Sequence, residues 1–162
     1  MADNKCVPLK SNGHGTTVKS NNFLRAVING QPFEATIVGG RYDGDETNWI
    51  RRSWGRGPLS AGDTTHALVF ISCWAELSNG EEYDLSQPDL PVSVGFTHLF
   101  PAEDGDETEF LLAVTQGHLI LTHNFAEYQV TGSFAFSLAV TQPDGSVRQF
   151  EVTEGELYVG PT

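Results

Sequence analysis

Gly132-Ser133-Phe134-Ala135-Phe136-Ser137-Leu138-Ala139-Val140 is the stretch on which the fold turns. Phe134, Phe136, Leu138 and Val140 occupy alternate positions, with Ser133, Ala135, Ser137 and Ala139 between them. A strand sends these two sets to opposite faces, whereas a helix would scatter the large residues around its circumference. The second face is small rather than charged, which leaves room for close packing over it. Asp144-Gly145 follows as a turn signal, and Phe150 and Val152 return in phase. Past Gly155 the apolar parity moves to Leu157 and Val159, which predicts a bulge or corner at that glycine.

Working outward, a second hairpin opens the patterned region. Leu24, Ala26 and Ile28 alternate up to Asn29-Gly30, the pair favoured where both central residues of a tight turn need positive φ. Phe33, Ala35 and Ile37 are then expected to face inward. The run Leu68–Ile71, continuing to Trp74 and Leu77, reads either as a doubly buried strand or as an amphipathic helix beginning near Asp63. Its β-branched and aromatic content favours the strand. Asn79-Gly80, followed by Tyr83 and Leu85, reads as another hairpin. Further strands are expected at 49–54, 92–96, 110–114 and 118–122. About ten strands separated by turn clusters predict an all-β chain forming a single antiparallel β-sandwich or flattened barrel over residues 23–162, after a loose tail at 1–22.

The 162 residues carry 21 acidic and 9 basic side chains, a formal charge of −12. So acidic a chain offers nucleic-acid phosphates no electrostatic footprint, and no apolar run is long enough for a membrane helix. The first residues lack the apolar core of an export signal, so the cytoplasm is the expected compartment, or an exported one if a leader has been removed. Cys6 and Cys73 make no disulfide framework, and Cys73 reads as a small buried hydrophobe.

Val27-Ile-Asn-Gly-Gln-Pro-Phe33, Gly117-His-Leu-Ile-Leu-Thr-His123, Val130-Thr-Gly-Ser-Phe-Ala-Phe136 and Phe150-Glu-Val-Thr-Glu-Gly-Glu-Leu157 together resemble an uncharacterised group of small bacterial β-sandwich proteins, many of them exported lipoproteins. The resemblance implies an architecture and carries no catalytic residue. Cys6 follows Asp-Asn-Lys instead of the small apolar residues of a lipid-attachment site.

Catalytic signatures are missing. The sequence has no Gly-x-Ser-x-Gly elbow, no phosphate-cradling loop opening a helix, and no His-Glu-x-x-His or paired Cys-x-x-Cys. His118 and His123, five apart, point to opposite faces of one strand. No cofactor, resident metal or catalytic residue is expected. Two features stand above background. Asp43-Gly-Asp-Glu-Thr47 recurs as Asp104-Gly-Asp-Glu-Thr108, an oxygen-rich loop of the kind a calcium ion uses, though each copy alone supplies too few ligands and Asp-Gly also makes an ordinary turn.

The second feature is Trp49-Ile-Arg-Arg-Ser-Trp-Gly-Arg56. Parity puts Trp49, Arg51 and Ser53 on one face and Ile50, Arg52 and Trp54 on the other. Trp49, Arg51, Arg52 and Trp54 are the candidate ligand-binding residues, because indole and guanidinium together stack a sugar ring or hold an anion. The alternative is that the indoles fill the core while the arginines offset neighbouring acids. The expected function is a non-catalytic β-sandwich binding or interaction protein whose partner is a protein, small molecule or carbohydrate. A lipocalin-like or carbohydrate-binding carrier and an acidic-loop hydrolase are the alternatives.

Overall fold

A computed structural model describes residues 21–60, 62–100 and 111–161. The described chain is all β, and its eleven strands form two antiparallel sheets. These strands are β1 (Phe23–Ile28), β2 (Gln31–Glu34), β3 (Ile37–Gly44), β4 (Trp49–Pro58), β5 (His66–Trp74), β6 (Glu82–Asp84), β7 (Val92–Leu99), β8 (Leu112–Ala113), β9 (Gly117–Asn124), β10 (Gln129–Thr141) and β11 (Val147–Val159). The six-stranded sheet runs β2-β1-β11-β10-β9-β6 and the five-stranded sheet runs β3-β4-β5-β7-β8. The two sheets do not close into a flattened barrel, since each keeps its own edge strands. The expected N-terminal tail lies outside the described residues except for Asn21 and Asn22, and the Asn22 side-chain oxygen accepts the Gly160 amide.

The alternating residues of the opening stretch do face the interior. Phe134 and Phe136 are buried on β10, as are Phe150, Val152, Leu157 and Val159 on β11. From the opposing sheet Ala67, Val69, Ile71, Val94 and Phe96 meet them. Phe96 packs edge-on to Phe136 and against Phe150. The segment that read as strand or helix is strand β5, with Cys73 buried and free at its end.

The parity change on β11 is a bulge one residue before its expected place. Phe134 faces Gly155 and Phe136 faces Val152, so β11 spends one more residue than β10 over that interval. The slip shows equally against β1, between Arg25 and Val27. Glu154 takes the left-handed conformation, with φ 53°. Gly155 serves the packing instead, because the Phe134 ring lies where its side chain would be, 2.3 Å from an added Cβ.

Two expectations fail at the points where the chain changes sheets. Asn29-Gly30 makes its hairpin with both φ values positive. However, Ala35 donates its amide to Leu24 of one sheet and Thr36 donates to Arg56 of the other. The phase breaks between them, and Ile37 is 59% exposed instead of inward. The crossing chain runs against β4 at Gly55 and Gly57, where an added Cβ would come within 2.8 Å of Leu24 Cβ and the Glu34 carbonyl respectively. Asn79-Gly80 likewise closes no hairpin between neighbours, because β5 and β6 lie in different sheets. The Asn79 amide instead brackets His123, donating to its carbonyl and accepting from its amide.

Filling the space above Gly155 is overpacking without an escape route, since Phe134 is held by the core. Gly155→Ala is expected to lower unfolding stability by roughly 1–3 kcal/mol. A shifted urea midpoint with unchanged slope checks this.

Candidate functional site

The four candidate residues lie on β4 and divide between its faces, as parity requires. Arg51 and Ser53 are buried between the sheets, and Trp49 packs on the core edge beside them. Arg52 and Trp54 stand on the outer surface of the five-stranded sheet. The four therefore belong to two separate places.

The inner place is an aromatic box at one end of the sandwich. Trp49 stacks on His123 at 4.2 Å between ring centroids, and Tyr42, Phe125 and Tyr128 complete the cluster. The Tyr42 hydroxyl and His123 Nε2 share a 2.5 Å hydrogen bond. The Arg51 guanidinium lies 4.7 Å from the Tyr42 ring centre, and its Nη2 donates to the Val159 carbonyl. Among the described residues no carboxylate pairs with it, and its Nε–H is buried without a partner. Burial lowers the Arg51 pKa from its ordinary value, yet a guanidinium stays charged. Tyr42 is pushed up to about 12, chiefly by burial and against the pull of Arg51. Burial, then the Arg51 charge, brings His123 down to about 4. The imidazole is thus neutral near pH 7 and free to accept from the Tyr42 hydroxyl.

The outer place is a patterned sheet surface. Register aligns Gly39, Trp54, Phe70 and Gly95 in one row across β3, β4, β5 and β7. The indole leans over Gly39, its nearest atoms 3.0–3.2 Å from where a Cβ would be, so any larger residue there would lift it. Trp54 and Phe70 lie nearly parallel, 9° between planes and 5.8 Å between centroids, and both are half-buried. Arg41 and Arg52 form the adjacent row on one side, while Arg56 stands on the other. Asp43 accepts from Arg52 at 2.6 Å and meets Arg41 at 3.5 Å, and the Arg52 hydrogen bond holds its carboxyl below the usual range.

In the first acidic repeat one oxygen each of Asp43 and Asp45 is engaged. Asp43 serves the two arginines, and Asp45 Oδ1 accepts the Thr47 and Asn48 amides that make the turn. The second repeat, 104–108, lies outside the described residues, as do Cys6 and most of the long segment after β7. Leu99, the last residue of β7, is fully buried, and Phe100 packs on His98. His118 and His123 do point to opposite faces of β9: His118 faces Glu82 outside while His123 enters the aromatic box.

Parity separated the two faces of β4, but sequence reasoning missed Phe70, Arg41, Tyr42 and His123 as their neighbours. Cross-strand register alone brings those residues together. The geometry defines an all-β sandwich with an aromatic and basic sheet surface and a braced end. The chain matches no known protein family, curated protein or solved structure.

Two measurements test this division. Trp49→Ala removes a brace of the box and is expected to cost about 2–3 kcal/mol, whereas Trp54→Ala is expected to cost about 1 kcal/mol or less. Chemical denaturation of both variants compares them. For His123, the unfolded ring binds its proton near pH 6.5 and the folded ring not until about pH 4. The unfolded state therefore holds more protons in that window, and stability falls as pH drops through it. The stability difference between the native protein and His123→Gln should shrink over the same interval. Carboxylates such as Asp63 contribute equally to both curves.

Proposed function

We propose that the protein is a non-catalytic β-sandwich binding module that takes a carbohydrate ring on the outer face of its five-stranded sheet. The observation that carries this reading is the near-parallel Trp54–Phe70 pair, its indole laid over Gly39 and flanked by guanidiniums on a regular sheet. Aromatic faces bind the C–H face of a sugar through dispersion and apolar burial, while neighbouring polar groups fix its hydroxyls.

Two further observations support surface capture over the alternatives. Between the sheets, Phe33, Phe96 and Phe150 are fully buried in a continuous packed core, which favours an outer site over a lipocalin-like interior. The carboxyl groups with resolved shifts, Asp43, Asp63, Asp84 and Asp144, all move downward, away from the range a general acid needs at neutral pH.

Calorimetric titration with soluble neutral and acidic oligosaccharides tests the proposal. Saturable binding should weaken at least about tenfold in Trp54→Ala, equivalent to about 1.4 kcal/mol, while Trp49→Ala, assayed where it remains folded, should still bind. Absence of saturable heat with every sugar class, or unchanged affinity in Trp54→Ala, overturns the reading.

A further inference from the structure

The row that carries the ring pair has a third apolar member. Gly39, Trp54, Phe70 and Gly95 align across β3, β4, β5 and β7, and both glycines of the row are covered. At one end the Trp54 indole leans over Gly39. At the other the Leu111 side chain lies on Gly95, with Cγ, Cδ1 and Cδ2 all within 3.0 Å of where a Cβ would be. Leu111 is itself 52% exposed, so it roofs the glycine and still turns an apolar surface outward.

The length of this row decides what can cover it. From Gly39 to Gly95 it crosses three strand spacings, about 14 Å at roughly 4.8 Å each. A six-membered ring built of bonds of about 1.5 Å is only roughly 3 Å across its carbon frame. One sugar therefore covers the Trp54–Phe70 pair and leaves Leu111 bare.

The surface also has a direction. Along β4 the outward neighbours of Trp54 are Arg52 and Arg56, each about 7 Å away at about 3.4 Å per residue, so a flat ligand laid along the strand leaves the apolar surface at once. Across the strands Trp54, Phe70 and Leu111 follow one another with no polar side chain between them. The adjacent row holds Arg41, Arg52, Ser72 and Ser93, a hydrogen-bonding side chain on every strand. An apolar track edged by polar groups matches a chain of sugar rings, whose C–H faces stack while hydroxyls project from the edges.

We infer that the ligand of this face is an unbranched oligosaccharide of three or more rings lying across the strands, with successive rings over Trp54, Phe70 and Leu111 and a hydroxyl-bearing edge toward Arg52 and Ser93. This inference rests on the carbohydrate reading above and names its substrate class, the interior of a linear glycan instead of a single terminal sugar.

The experiment is a length series. Unbranched oligomers of glucose, xylose and N-acetylglucosamine, from one to six units, are titrated calorimetrically into the native protein. In the class that binds, affinity should rise about tenfold or more from one ring to three and level off beyond about four. Leu111→Ser, checked for folding by thermal melting, should cut the gain between two and three rings about fivefold, the effect of losing one partly buried leucine contact. Leu111→Met, which keeps an apolar side chain over Gly95, should retain that gain.

The native series decides the question even where Leu111→Ser fails to fold. Equal affinity from one ring to six overturns this inference in favour of a single-sugar site and leaves the carbohydrate platform standing. A gain with length that is undiminished in folded Leu111→Ser also overturns it, because the third ring then lies elsewhere. Failure of every sugar to bind at any length overturns the platform and the inference together.

Discussion

The inward positions of β4 shrink along the strand, from Arg51 through Ser53 to Gly55 and Gly57, and that gradient organises the molecule. Where they are glycine, the chain passes from one sheet to the other in direct contact with the β4 backbone. No side chain fits there, so the crossing is possible only because the large residues of that half of β4 point outward. At the opposite end the inward residue is Arg51, and the space between the sheets is filled by Tyr42, Trp49, His123 and Phe125, with the exposed Tyr128 at the rim. The same alternation that opens the crossing therefore places Arg52, Trp54 and Arg56 outside.

This arrangement separates two uses of the same residue types. Arg51 is a buried cation whose desolvation is offset, among the described residues, by the Tyr42 ring and the Val159 carbonyl instead of a counter-ion. Burying a charge costs several kcal/mol before such compensation, and the same burial keeps the neighbours uncharged: His123 stays neutral at physiological pH with the Arg51 charge adding to the effect, and Tyr42 stays protonated against the pull of that charge. Arg52, one residue along, keeps its charge near solvent with Asp43 as partner. The first arginine braces a fold, and the second stands where a ligand can arrive.

How much of this was legible in the sequence depends on the range of the interaction. Period-two runs such as Phe134–Val140 and Leu24–Ile28 specify faces through the pleat itself, and the Asn29-Gly30 turn through φ preferences of its own residues. The bulge was visible as a change of parity, although its left-handed residue is Glu154 and Gly155 serves to admit a ring. Ile37 and Asn79-Gly80 misled for one reason. Each follows a point where the chain leaves one sheet for the other, and alternation carries no information across such a change of partner. The candidate site was half legible: Trp54 and Arg52 could be assigned a common face, but not Phe70 from β5 or Arg41 from β3.

By itself, then, the sequence determined that this chain is built of strands, which face of each long strand is apolar, and that its aromatic and basic residues on β4 alternate. These are consequences of backbone geometry within one strand. Which sheet each strand joins, that Arg51 lies inside with no carboxylate beside it among the described residues, and that Trp54 leans over Gly39 and meets Phe70 were decided only in the tertiary structure. Those outcomes depend on strand order and register, set by the summed burial of many side chains from distant parts of the chain, and no local pattern records that sum.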